Sequence, residues 1–238
     1  MAMVKGDYHW EWAAAERGYQ RALELNPGNA TAHHWYGLHL LGQRRFDEAL
    51  IETRRARELD PLSLIVNMST GHVLYCWRRY DEAIDQLNET LKLDPDFGIA
   101  RLIVGRAYMQ KSMYREAVTE LQRARDFWGE NPRVISTLGR AYALSGNRVA
   151  AEQILEDLKR ASQDDAFPPV AMATIYVGLG ERDLALEWLE KAVEKPGEHQ
   201  FWLAANPLFD PLRSDPRFDD LLERMNLAGS SYQKGLIP

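Results

Sequence analysis

Three arginines and one histidine–cysteine pair are the side chains of this chain whose types and spacing could do chemistry. Arg106 and Arg140 stand 34 residues apart, with Arg133 seven residues before the second. A guanidinium presents a rigid fork of donors that matches a carboxylate or phosphate, so a fold that gathers the three would make an anion receptor. On a solvated surface the same arginines would pair with nearby acids and do little else. His72 and Cys76 lie four apart and would share one helix face, which could begin a metal site, but no acidic third ligand falls at a fitting place on that helix. The alternative is a groove histidine beside a small buried thiol. His33 and His34 are adjacent and would point about 100° apart on a helix. Neither a GxxxxGK[ST] phosphate loop, nor GxGxxG, nor a serine-hydrolase elbow occurs.

What would position these residues is a strict internal period. Ala15, Ala49, Ala83, Ala117, Ala151 and Ala185 recur every 34 residues, and Gly37, Gly71, Gly105 and Gly139 run in the same phase with Ala173 on the fifth rung. Larger residues hold further columns: Leu40, Leu74, Tyr108, Tyr142 and Tyr176, then Trp12, Phe46, Tyr80 and Tyr114. A fixed period of this length marks a solenoid, and small residues opposite large ones are what close helix packing requires. Between Ala30 and Pro61 the pattern predicts helices over about 30–41 and 46–59, joined by the polar turn 42–45, which forces antiparallel neighbours. Asp47-Glu48, Asp81-Glu82 and Asp183 open the second helices, where the helix dipole favours acids. Asn26-Pro27, Asp60-Pro61 and Asp94-Pro95 end them, because proline cannot continue a helix.

These columns resemble the tetratricopeptide repeat over roughly residues 8–197. The resemblance implies an all-α fold, a right-handed α-solenoid of antiparallel helix pairs. Residues 1–29 form a partial first repeat with a lone helix over about 12–25. Residues 30–197 hold five repeats, beginning near Ala30, Leu64, Gly98, Pro132 and Ala166, with a looser connection over 162–169. Residues 198–227 form a capping segment and helix, and 228–238 a flexible tail. Asp215 can cap that helix with Pro216 in its first position, and Phe218, Leu221, Leu222 and Met225 share one face that should cover the last repeat. The first unit has little room for its partner helix, so the chain is expected to be cut from a longer protein. Trp10 and Trp12 at that end would be core residues missing a neighbour, or a contact for a second copy of the chain. The stretch 206–218, with Trp10-Glu11-Trp12 and 30–37 at the beginning, is similar to tetratricopeptide regions that end bacterial signalling proteins such as winged-helix regulators, serine/threonine kinases and adenylate cyclases.

Such superhelices usually hold a peptide or partner helix against the concave face of their first helices. Carried over column by column, that face would show His34, Leu38, Leu41, Met68, His72, Tyr75, Leu102, Arg106, Met109, Arg133, Ser136 and Arg140. Its apolar members would line a groove for an amphipathic helix or lie buried between adjacent first helices. His34, Leu38 and Ser69 stand where chaperone-binding relatives carry clamping Lys and Asn, so that clamp is not implied.

Composition narrows the classes further. Thirty-five acidic and 29 basic residues are interspersed, unlike the basic stripe of a nucleic-acid binder. No apolar run approaches the ~20 residues of a membrane span, and the start lacks a signal peptide's apolar core. Cys76 is the single cysteine, which excludes an internal disulfide and a multi-cysteine metal site; cytoplasm is the default compartment. The leading expectation is a non-enzymatic scaffold for a protein or peptide, with a carboxylate or phosphate group as the feature the arginines would read. Self-association through the N-terminal end is the alternative, and a cryptic metal-dependent enzyme using His72 and Cys76 the third. No cofactor is implied.

Overall fold

A computed structural model describes residues 11–161, 169–194 and 202–227, and among them helix follows helix with no strand. The expectations that rest on Trp10, the connection 162–168, the start of the fifth repeat at Ala166 and the tail 228–238 lie outside the described residues. Among the described residues, helix α1 (Trp12–Leu25) precedes five antiparallel pairs: α2 (Ala30–Gly42) with α3 (Phe46–Leu59), α4 (Leu64–Cys76) with α5 (Tyr80–Leu93), α6 (Gly98–Gln110) with α7 (Tyr114–Trp128), α8 (Pro132–Leu144) with α9 (Arg148–Ala161), and α10 (Pro169–Leu179) with α11 (Arg182–Glu194). A 3-10 helix (Pro207–Leu212) and α12 (Pro216–Arg224) follow.

The alanine column is wholly buried, each of Ala15, Ala49, Ala83, Ala117, Ala151 and Ala185 being 0% exposed. The glycine column rests on it. A Cβ added to Gly37 would stand 2.6 Å from Thr53 Cγ2 and 3.2 Å from the Ala49 carbonyl. One added to Gly105 would stand 2.7 Å from Leu121 Cγ and 3.3 Å from the Ala117 carbonyl. In these two pairs the small columns set how closely the helices approach, while Gly71 faces Leu87 and Gly139 faces Ile175 and Ile154.

The turn within each pair uses a device the sequence does not advertise. Arg44, Arg78, Ser112, Gly146 and Gly180 all have positive φ, between 58° at Ser112 and 86° at Gly146, and they recur at the same 34-residue step. Each turn closes with the same two backbone bonds: Ser112 N donates to Met109 O at 3.0 Å and Met113 N to Tyr108 O at 2.9 Å, as Gly146 N does to Ala143 O at 3.1 Å and Asn147 N to Tyr142 O at 2.9 Å. This is the left-handed cap that satisfies the last carbonyls of a helix.

The links between pairs repeat as well. The ring of His33 lies 3.0 Å from the Pro27 carbonyl, Asn67 Nδ2 donates to the Pro61 carbonyl at 2.8 Å, and Arg101 Nε to the Pro95 carbonyl at 2.8 Å. The proline ends one helix and its carbonyl anchors the next. His33 and Arg101 also meet Glu52 and Glu120, at 2.6 and 2.5 Å, from the facing second helices.

At the C-terminal end the Asp215 carboxylate accepts from Arg217 N at 3.0 Å, with Pro216 in the first helical position, and Phe218, Leu221, Leu222 and Met225 are buried. Helix α12 packs on α11 but also reaches back to the beginning of the chain. There the Trp12 indole N–H donates to the Met225 carbonyl at 3.0 Å, leaving Trp12 only 8% exposed. This corrects the expectation that Trp12 waits at an open end for a second copy: its apolar surface is already covered by this chain.

Two substitutions test the packing and the turns. Gly105→Ala is expected to lower stability by about 1–3 kcal/mol, because Leu121 and a backbone carbonyl leave the new methyl no room. Ser112→Gly is expected to raise stability by up to ~1 kcal/mol, because only glycine takes positive φ freely. Urea unfolding followed by helical circular dichroism measures both.

Candidate functional site

The first helices α2, α4, α6, α8 and α10 pack side by side, and the residues expected on their inner face are buried or half-buried. His34, Leu38, Leu41, Met68, His72, Tyr75, Leu102, Arg106, Met109, Ser136 and Arg140 are buried; Arg133 is half-buried. Leu38, Leu41, Met68 and Tyr75 belong to a core shared by the N-terminal repeats, Leu102 and Met109 to one shared by the C-terminal repeats.

What covers this face is the chain's own segment 202–212. Trp202 stands edge-on to His72, with ring centroids 4.7 Å apart, and lies under the Arg133 guanidinium at 5.9 Å. Tyr75 donates its hydroxyl to Asn206 Oδ1 at 3.5 Å, and the same oxygen accepts from Leu208 N at 3.1 Å to cap the 3-10 helix. Arg140 Nη1 donates to the Leu208 carbonyl. Leu208 and Phe209 are 1% exposed and Leu212 0%. The segment thus binds as a peptide ligand would, through carbonyls, an aromatic anchor and a few apolar pegs.

One carboxylate fixes its register. Asp210 accepts from Arg78 Nη2 at 2.5 Å and from Arg213 Nε at 2.6 Å, while Arg78 also donates to the Ala205 carbonyl at 3.2 Å and Arg213 to the Ala204 carbonyl at 2.7 Å. Reasoning from the repeat missed Arg78, because its position belongs to a polar turn rather than to an inner column. The positive φ of that residue turns it back toward the face. The signal available was Asp210, a lone acid in the otherwise apolar run 207–212.

Two histidines, His34 and His39, are held neutral by burial. His34 Nδ1 lies 2.9 Å from Ser69 Oγ, whose hydroxyl donates to the Ile65 carbonyl at 2.7 Å, so the ring supplies the N–H between them. Burial pulls His34 down to about 4. His39, which was not among the expected site residues, is packed against Tyr19 at 5.3 Å and Trp12 at 5.9 Å and takes the Gln43 amide at 2.7 Å; burial holds it at about 4 as well. Cys76 is 0% exposed and burial pushes its thiol up to about 12, so it stays protonated and is no nucleophile at neutral pH. His72 is engaged with Trp202 and Tyr75, and among the described residues no group of three His, Cys, Asp or Glu is placed to hold a metal. The His72 and Cys76 pairing therefore offers neither of the chemistries its spacing suggested.

Sequence profiles of the tetratricopeptide repeat match residues 9–63 and 77–132, residues 109–167, and residues 170–194. No curated protein matches the chain. Among solved structures it is similar to a tetratricopeptide repeat protein from Parabacteroides merdae, at 17% identity and TM-score 0.58 over 94% of this chain and 88% of that one. It is also similar to PilW, a type IV pilus biogenesis factor, at 21% identity and TM-score 0.58 over 81% of this chain and 90% of that one. A thermophilic protein of Thermus thermophilus, TTC0263, is 18% identical with TM-score 0.51 over 89% of this chain and 91% of that one. At these identities the likeness is one of fold.

The buried histidines make stability pH-dependent with a definite sign. Both rings have folded values near 4 against an ordinary 6.5, so the unfolded chain takes up protons first and stability falls as pH drops from about 6.5 to 4. The loss is on the order of 3 kcal/mol per histidine when complete. Urea unfolding at pH 7 and 4.5 is expected to show it, and the double variant His34→Gln, His39→Gln should lose several kcal/mol less over the same interval.

Proposed function

The chain belongs to the tetratricopeptide repeat family, and from that premise we propose that it is a non-enzymatic protein-interaction scaffold whose inner face takes a short peptide segment. The observation that carries this reading is the seating of residues 202–212 on α4 and α8, held by Arg78, Tyr75 and Arg140. The contacts are those of peptide recognition: a charged fork on one carboxylate, donors on main-chain carbonyls, and apolar pegs in a buried seat. A partner segment of the same chemistry, an aromatic and leucine pair followed by an acid, would use the same seat. The tether gives the chain's own segment an effective concentration on the order of millimolar, so a partner must bind well to displace it. The similarity of 206–218 to the ends of bacterial signalling proteins supports placing the scaffold in the regulatory part of such a protein.

A charge swap tests the seat. A fluorescent peptide of the sequence 202–213 is titrated, with anisotropy detection, against the native chain, Asp210→Arg, and Asp210→Arg combined with Arg78→Glu. Asp210→Arg should loosen the resident segment and bind the added peptide at least about tenfold more tightly than the native chain, which already fills its seat. The combined variant restores the internal pair and should return to weak binding. Equal binding by all three would sink the proposal.

A further inference from the structure

Arg106, Arg133 and Arg140 carry three positive charges into the interior, and among the described residues no carboxylate is bonded to any of them. Arg106 reaches from α6 across to α8, where its Nε and Nη2 donate to Thr137 Oγ1 at 3.3 and 3.1 Å. Thr137 in turn donates to the Arg133 carbonyl at 2.6 Å. Arg133 lies four residues before Thr137 and Arg140 three after it, so the three share a helix face as close neighbours, with Arg106 set between the other two. The stem of Arg140 lies flat on Gly178, where a Cβ would come 2.8 Å from its Cγ. Its Nη1 meets the Leu208 carbonyl, and its Nε is buried without a partner.

Exposure is 7% for Arg106 and 4% for Arg140, with Arg133 half-buried toward solvent. Asp210, the carboxylate that the described segment brings to this region, is already shared by Arg78 and Arg213. Burial lowers all three arginines, and the charge of Arg106 lowers Arg133 and Arg140 further; at about 9 and about 10 these two remain protonated at neutral pH. An unpaired buried charge costs several kcal/mol even after relaxation, and mutual repulsion adds to that. Apolar residues would fill the same space without this cost. What the cluster lacks is an anion.

We propose that Arg106, Arg133 and Arg140 form an internal binding site for a small free oxyanion of the phosphate or sulfate kind, seated beneath residues 202–208. The segment occupies the rest of the face, which leaves a compact ion rather than a second peptide as the occupant. Guanidinium forks match the oxygens of such an ion in pairs, and Arg133 provides its route from solvent. Because the Leu208 carbonyl shares Arg140 with the site, the bound ion relieves the repulsion under the segment and tightens its seating. No partner protein is needed, so this site stands or falls separately from the peptide seat.

The test uses the full chain in a buffer free of phosphate and sulfate, with inorganic phosphate as the titrant. Calorimetry should give saturable heat with one ion per chain, and the thermal midpoint should rise with the logarithm of phosphate concentration. Sodium chloride at matched ionic strength should not reproduce the rise. Arg106→Met should weaken phosphate binding about tenfold or more, since one charge-assisted hydrogen-bonding group is lost. In phosphate-free buffer the same variant should be at least as stable as the native chain, because an unpaired buried charge is gone. Arg133→Met, at the partly exposed position, is the second variant should Arg106→Met fail to fold. Absence of saturable heat, an equal response to chloride, or undiminished binding in the folded variant would each overturn the proposal.

Discussion

Everything in this molecule depends on how closely two helices can approach where one has no side chain. The glycine column of the first helices rests against the alanine column of the second, with backbone carbonyls 3.2–3.3 Å from where a Cβ would stand on Gly37 and Gly105. The small residue recurs at a constant step, meeting Leu87 at Gly71 and Ile175 and Ile154 at Gly139, so each pair can close tightly at the same rung of the stack. The larger columns then fall where the small ones leave room, and the first helices align side by side to make one continuous face.

The face so made is lined in its centre by cations and is filled by the chain itself. Arg78, Arg106, Arg133, Arg140 and Arg213 gather around a segment that supplies a single carboxylate, Asp210, together with main-chain oxygens. Polar groups at this depth are expected to be satisfied, and several are: Arg78 and Arg213 use their forks on Asp210 and on the Ala205 and Ala204 carbonyls. Among the described residues, the three arginines that surround Thr137 have no bonded carboxylate, and Arg140 Nε is buried without a partner.

The repeat itself was legible in the sequence because its determinants are local. Trp12–Leu25 and Phe46–Leu59 each stop just before an X-Pro pair, Phe46–Leu59 opens on the first-turn acids Asp47 and Glu48, and the spacing of Ala15 to Ala185 alone announces the pairing. Asp215 and Pro216 foretold the start of the last helix for the same reason. The columns also pointed to the inner face, including all three interior arginines. What they could not tell was its occupant, since the meeting of Arg78 with Asp210 spans 132 residues and obeys no period. The five turns with positive φ were hidden differently: three of them use Arg44, Arg78 and Ser112, residue types that do not declare a left-handed backbone.

The bond from Trp12 to Met225 joins positions 213 residues apart. A stack of repeats that touch only their neighbours behaves as a row of dominoes: it can nucleate anywhere and fray from either end. Tying the first helix to the last turns the row into a loop, in which loosening one end removes support from the other. Long-range closure of this kind raises contact order and slows folding, but it also merges the repeats into one cooperative unit. A repeat protein closed in this way is expected to trade some of its modularity for the cooperative unfolding of a globular one.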